Sequence, residues 1–123
     1  MLTDYEKYNE EMTVFESSQL FRRVFTQLIF FLTRNIGSYY KSEYLEARYK
    51  INGPELRKLV NHARKANVPI ISNGKGYSMA NEYSEIESTI KHLEERAREM
   101  FFVASKLKKT FPEETQTKMK GVV

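Results

Sequence analysis

Six polar side chains between positions 57 and 65 are the residues of this sequence best suited to binding chemistry. Four are cationic, and the other two, an amide and an imidazole, donate and accept hydrogen bonds: Arg57, Lys58, Asn61, His62, Arg64 and Lys65. Side chains of these types neutralise phosphates and hydrogen-bond to base edges. Apolar residues lie between them at spacings of three and four: Leu56, Leu59, Val60 and Ala63. Since this is the period of an amphipathic helix, we expect the six polar side chains on the face that the core leaves free.

The positive charge of the chain is concentrated around this predicted helix. The net charge is +4, and residues 41–75 carry eight basic against three acidic side chains. Residues 1–40 carry four basic and five acidic side chains, and residues 76–123 carry eight of each. Because a basic surface binds nucleic acid when its charges cluster, this distribution predicts a nucleic-acid partner.

Nothing in the sequence is typical of a catalytic or metal site. The chain has no cysteine, which excludes disulfides and thiolate ligands and fits a reducing cytoplasm. His62 and His92 are far apart along the chain, and Gly74-Lys75-Gly76 lacks the spacing of a phosphate-binding loop. We therefore predict no enzyme, no catalytic residue, no metal and no cofactor. The acidic N-terminus and the short apolar run at residues 28–32 predict neither an export signal nor a membrane span, hence a cytoplasmic protein.

A long amphipathic helix is predicted from Ser18 to about Asn35. Its apolar positions recur with helical period: Leu20, Phe21, Val24, Phe25, Leu28, Phe31 and Leu32. All are expected in the core. Ile36-Gly37-Ser38 ends this helix, because glycine accepts the left-handed conformation found at helix ends.

Two shorter helices follow. Residues 41–49 are expected to form the first, with Ser42 as its N-cap and with inward side chains at Tyr44, Leu45 and Ala47. The basic helix is expected over residues 53–66. Its start signal is Asn52-Gly53-Pro54-Glu55, since asparagine caps a helix and proline suits its first turn.

A β-hairpin and a long helix are predicted after the basic helix. The segments at residues 68–72 and 77–80 flank a glycine-rich turn, which is typical of a hairpin. Residues 84–111 form one predicted helix, with Pro112 as its stop. Its apolar residues alternate spacings of four and three, close to a coiled-coil seam: Ile86, Ile90, Leu93, Ala97, Met100, Ala104, Leu107 and Phe111.

This order of elements is that of a winged helix-turn-helix, in which the third helix enters the major groove and the hairpin, or wing, contacts the backbone or the minor groove. We therefore predict a mostly α protein with a small β-hairpin. A winged helix-turn-helix occupies residues 18–81, and residues 82–111 form a long C-terminal helix, a candidate dimerisation coiled coil. Residues 1–17 are either an acidic arm or a short helix, and residues 112–123 are a polar tail.

Residues 42–79 resemble the N-terminal DNA-binding domain of the biotin repressor family. Gly74-Lys75-Gly76-Tyr77-Ser78-Met79 is similar to the wing of that family, and residues 51–68 align with it without gaps. The segment also resembles small phage-encoded winged-helix proteins, some tied to replication or gene control, and that likeness extends through the long helix. The resemblance implies binding of double-stranded DNA. It carries no biotin ligase chemistry, because no catalytic domain follows. Glu55 stands where relatives often have small or polar residues; it either repels phosphates or accepts from a cytosine amino group.

The predicted DNA contacts extend from the start of the basic helix to the wing. They are Asn52, Gly53, Arg57, Lys58, Asn61, His62, Arg64, Lys65, Asn73 and Lys75. The Asn52 side chain and the Gly53 amide are expected to hold a phosphate. Arg64, Lys65 and Lys75 are expected to neutralise the charge of the DNA backbone. The other four helix residues, Arg57, Lys58, Asn61 and His62, are expected to approach base edges or flanking phosphates. The expected role is a regulator of transcription or a protein that binds a replication origin.

The long helix is the predicted site of self-association. Its apolar seam and the second apolar flank at Phe101-Phe102-Val103 together present more apolar surface than one small domain needs to bury. Packing of that flank against the first helix is the alternative explanation. We predict a homodimer that reads a pseudo-palindromic site. Its contacts are Ile86, Ile90, Leu93, Ala97, Met100, Phe101, Ala104 and Leu107. In an alternative of another class, the chain is an adaptor or inhibitor whose long helix engages a replication or transcription protein.

Overall fold

Helices and one hairpin account for most of the chain that the computed structural model describes, which is residues 18–111 together with Thr3, Glu6, Lys7, Glu10 and Val14. The elements are α1 (Gln19–Arg34), α2 (Ser42–Tyr49), α3 (Gly53–Lys65), β1 (Ile70–Asn73), β2 (Gly76–Met79) and α4 (Tyr83–Lys108). The prediction of a mostly α protein with a small hairpin and a long C-terminal helix is confirmed. The predicted tail, which includes Pro112, lies outside the described residues, as does most of the predicted arm.

Helix α1 begins where its sequence predicts. The Ser18 hydroxyl accepts a hydrogen bond from the Phe21 amide at 3.1 Å, which caps the helix. The buried stripe consists of Phe21, Val24, Leu28 and Leu32. The prediction that Leu20 is buried is wrong, since 44% of it is exposed. At about 100° per residue, Leu20 lies roughly a quarter turn from the centre of the stripe and beyond its edge.

Helix α2 is short and only Leu45 is fully buried on it. Tyr44 and Ala47 are exposed, which corrects the inward positions predicted for them. Ser42 is the first helical residue and not the N-cap, which is Lys41. The Ser42 hydroxyl is already engaged one turn ahead, because it donates to the Glu46 carboxylate at 2.7 Å.

Helix α3 is held at both ends by local geometry. Asn52 caps its N-terminus, and Ala66 and a left-handed Asn67 (φ 66°) follow its last turn. Its inner stripe joins the core formed by α1, α2 and the hairpin, as predicted. The fully buried side chains at the centre of that core include Leu28, Leu32, Leu45, Leu56, Leu59 and Ile70.

The hairpin pairs β1 and β2 in antiparallel register, with Asn73 opposite Gly76 across the turn. On its other edge, β2 is paired by a single residue of the α1–α2 connection. The Tyr40 amide donates to the Tyr77 carbonyl at 2.9 Å, and the Tyr77 amide donates back at 2.8 Å. Gly76 has a φ of 121°, and a Cβ there would collide with the Tyr40 carbonyl. Only glycine therefore permits this close approach.

The chain divides into two units, residues 1–86 and residues 87–123. The first contains α1, α2, α3 and the hairpin. The described part of the second consists of the remainder of α4 and the turn that follows it, up to Phe111. Within the described residues, no helix is both long and apolar enough to cross a membrane.

Candidate nucleic-acid interface

The outer face of α3 presents an arc of polar side chains opposite its buried stripe. At about 100° per residue, the arc spans roughly 100° and contains no carboxylate. Its members are Arg57, Lys58, Asn61 and Lys65. Lys58 is half-buried and the other three are exposed. These four residues, which the sequence analysis assigned to DNA, thus share one surface of one rigid element.

The N-terminus of α3 is closed by a reciprocal cap. The Asn52 side chain accepts from the Glu55 amide at 2.8 Å, and the Glu55 carboxylate accepts from the Asn52 amide at 2.9 Å. This capping box satisfies two backbone donors that a helix otherwise leaves unpaired. The cap therefore uses the Asn52 backbone amide and its side-chain oxygen, two of the polar groups near the predicted phosphate site. The same geometry gives Glu55 a structural role within the predicted start signal of the helix.

The two edges of the arc are attached to neighbouring elements. On one edge, the His62 ring stands edge-on to Phe21 and Phe25 of α1, with ring centres 5.1 and 5.2 Å apart. The side chain of His62 is exposed but held in place by these contacts. The imidazole therefore borders the basic face and does not lie at its centre.

On the other edge, Arg64 is bonded to β1. Its Nε and Nη2 donate to the Ile70 carbonyl at 3.1 and 2.9 Å, and Nη2 also donates to the Ser72 hydroxyl at 2.9 Å. The guanidinium thus fixes the angle between α3 and the hairpin. Arg64 is one of the predicted phosphate contacts, because nothing in the sequence indicates which cation meets the strand that follows.

The tip of the hairpin carries a second group of polar side chains. The Asn73 side chain accepts from the Lys75 amide at 2.8 Å and so shapes the turn. The Lys75 ammonium is exposed and lies 5.7 Å above the Tyr39 ring. Lys41, which the sequence analysis did not select, donates from its ammonium to the Gly74 carbonyl. Two cations therefore flank the turn, one from the hairpin and one from the α1–α2 connection.

A groove between α1 and α2 combines arginines with aromatic rings. It encloses about 840 Å³ and is lined by Gln27, Phe30, Phe31, Arg34, Asn35, Arg48 and Tyr49. The Arg48 guanidinium lies 4.0 Å above the Phe31 ring. A hydrogen bond with Tyr49 raises the pKa of Arg48, against an opposing effect of desolvation. Arg48 also donates to the Tyr44 hydroxyl at 3.4 Å, so its guanidinium contributes to the packing of α2 on α1.

The residues predicted to mediate dimerisation lie along one side of α4. Ile86, Ile90 and Ala97 are half-buried, and Ala104 is exposed. The larger apolar side chains are exposed by 42% at Leu93, 67% at Met100, 78% at Phe101 and 62% at Leu107. Soluble proteins rarely leave so many large apolar side chains on one surface unless a partner covers them.

No group of three or more His, Asp or Glu side chains capable of holding a metal ion is present among the described residues. The chain matches no protein-family model, no curated protein and no solved structure in the comparisons made. The resemblance to the biotin repressor family stays a prediction. The surfaces of α3, the hairpin and α4 are the features of the molecule that indicate a function.

Proposed function

We propose that this chain is a winged helix-turn-helix protein that binds double-stranded DNA. The observation that carries the proposal is the polar arc of α3, in which three cations and an amide face outward without a carboxylate among them. An α-helix fits the major groove, and side chains of these types bind guanine, adenine and phosphates there.

The connections between elements support this proposal. Three residues join α2 to α3, and the hairpin follows α3 after four. The Tyr40–Tyr77 pair adds a one-residue strand to the hairpin sheet, beside β2. This order matches a helix-turn-helix whose second helix reads DNA, followed by a wing.

The contacts divide by side-chain type. Arg57 and Asn61 are the side chains of the arc that form bidentate pairs with guanine and adenine. Lys58, Lys65 and Lys75 act on phosphates, which sets affinity and position but reads no sequence. Arg64 contributes indirectly, since its bonds to β1 hold the hairpin at a fixed angle to α3. Binding requires no cofactor and includes no catalytic step.

A dimer formed through α4 completes the proposed function. Two copies related by a two-fold axis present two α3 helices, which suits a pseudo-palindromic site. Such a protein acts as a regulator of transcription or as a replication-origin-binding protein.

Fluorescence anisotropy with random and selected duplexes tests DNA binding. A dimer in which each copy places Lys58, Lys65 and Lys75 at phosphates makes six such contacts, so the log–log slope of affinity against salt should be roughly −5. The triple variant Arg57→Ala/Lys65→Ala/Lys75→Ala should bind at least tenfold more weakly, with a slope roughly 3.6 units shallower, because each copy loses two phosphate contacts. The matched control Lys91→Ala/Arg98→Ala/Lys109→Ala removes the same charge from exposed positions of α4 and its C-terminal turn, outside the seam. Equal binding by the two variants, or a flat salt dependence, would refute the proposal.

One observation favours a second function, that of an adaptor or inhibitor. Phe102 is 58% exposed and lies on the side of α4 away from the seam, so a two-stranded coiled coil leaves it uncovered. A replication or transcription protein that binds this side would cover it. If the wild-type protein binds no duplex at low salt, this second function takes precedence.

A further inference from the structure

Charge is segregated along the part of α4 that belongs to the second unit. Residues 87–95 carry three acidic side chains and one basic side chain, whereas residues 96–108 carry four basic and one acidic. Two such helices side by side repel each other at both ends when parallel and attract when antiparallel. The charge pattern therefore favours a second copy in the antiparallel orientation.

The apolar seam has the same preference. We define the seam as the six residues Ile90, Leu93, Ala97, Met100, Ala104 and Leu107. In a parallel coiled coil each seam residue faces the same residue of the other copy, so Ala97 contacts Ala97 and Met100 contacts Met100. In an antiparallel coiled coil centred between Ala97 and Met100, each small residue faces a large one. Ala97 then faces Met100 of the other copy, and Leu93 faces Ala104, which fills the four central layers evenly, while Ile90 faces Leu107 in the two outer layers.

The residues beside the seam give a third argument. In the antiparallel arrangement, Glu87 of one copy lies across from Lys108 of the other, at both ends of the coil. In a parallel arrangement the flanking pairs are Thr89 with Glu94, Arg96 with Phe101 and Val103 with Lys108. None of these pairs joins opposite charges.

We propose that α4 binds a second copy of this chain as an antiparallel coiled coil, with its midpoint between Ala97 and Met100. The occupant is a second copy because the seam complements itself in volume and its two halves complement each other in charge. This inference rests on the dimer of the proposed function, but it does not require DNA binding. All measurements that test it are made without DNA, so the two proposals can fail separately.

Cross-linking determines the orientation, because the chain has no native cysteine. Leu93→Cys and Ala104→Cys proteins, one carrying a size tag, are treated with a short bis-maleimide reagent separately and as a mixture. In the antiparallel coil, residue 93 faces residue 104, and two copies of residue 93 lie roughly 16 Å apart along the axis. The mixture should give a cross-link between unlike chains, and neither protein should cross-link alone. Phe102→Cys, on the opposite side of α4, is the negative control.

Charge reversal supplies an independent measurement. Lys108→Glu should raise the dissociation constant of the dimer about tenfold, measured by sedimentation equilibrium. Adding Glu87→Lys should restore it, because the pair is again of opposite sign. Cross-linking of the single-cysteine proteins with themselves would show a parallel coil and overturn the proposal. A monomer at high micromolar concentration, or a dimer without the 93–104 cross-link, would overturn it as well.

Discussion

Arg57 and Arg64 are the same residue type on the same helix, yet they do different work. Arg57 is exposed on the polar arc, whereas Arg64 is half-buried and donates three hydrogen bonds to β1. Helical periodicity predicts the same role for both arginines, because both flank the apolar stripe. Their separation depends on where the next element lies, and helical periodicity does not contain that information.

The Arg64→Ala substitution should lower the free energy of unfolding by about 1–3 kcal/mol, because it leaves the Ile70 carbonyl without its donor. Arg57→Ala should change it by less than about 0.5 kcal/mol, since it alters only the surface. Urea denaturation followed by circular dichroism measures both. Equal effects would mean that the Arg64 bonds contribute nothing to stability.

Asn61→Ala should reduce discrimination between a selected site and random DNA by about 1–3 kcal/mol, because a bidentate pair with a base is lost. Lys65→Ala should weaken both complexes by the same factor, since phosphates carry no sequence. Competition anisotropy with the two duplexes gives both numbers. If Lys65→Ala changes the discrimination and Asn61→Ala does not, the assigned roles are reversed.

At the scale of elements, the sequence predicts α1 and α3 well because each has several turns, a continuous apolar stripe and a cap. It predicts α2 poorly, since two turns contain too few positions for periodicity to separate inward from outward side chains. Tyr44 and Ala47 were therefore predicted to point inward but are exposed. The strand-like pairing of Tyr40 with Tyr77 could not be predicted from the sequence, because a single residue shows no alternation of apolar and polar side chains. The cationic arc and the cap at Asn52 were predictable from local sequence, whereas the bonds of Arg64 depend on where β1 lies.

The hairpin offers a matched pair of glycines for testing its attachment. Gly76→Ala should destabilise the protein by at least about 2 kcal/mol, because the new methyl group collides with the Tyr40 backbone at a positive φ. Gly74→Ala meets nothing within 4 Å and has an ordinary φ, so it should be close to neutral. Thermal and urea denaturation compare the two. Similar stabilities would contradict the close approach of Tyr40 and Gly76.

At the scale of the whole molecule, the two units carry different kinds of surface. The described part of the first unit from residue 18 has eleven basic and five acidic side chains, whereas the second unit has the exposed apolar residues of α4. One surface suits a polyanion and the other suits an apolar partner. The proposed division of labour is therefore DNA contact by the first unit and self-association by the second.

Leu107→Asp should dissociate the dimer, because it places a carboxylate in each copy of the seam. Affinity for DNA with two half-sites should then fall by at least tenfold, while affinity for a single half-site should not change. Light scattering and anisotropy on the two duplexes measure these effects. Unchanged affinity for the two-half-site DNA would separate dimerisation from DNA binding.

The seam of α4 is short, about two and a half heptads, and two of its six residues are alanines. The proposed coiled coil would associate weakly at this size, so at low abundance the chain would be largely monomeric. The concentration of paired chains then rises with the square of the total, and occupancy of a two-half-site DNA rises with it. The proposed dimer would therefore respond to its own abundance more steeply than a monomer, with occupancy rising from 10% to 90% over roughly a ninefold range of concentration instead of roughly 81-fold.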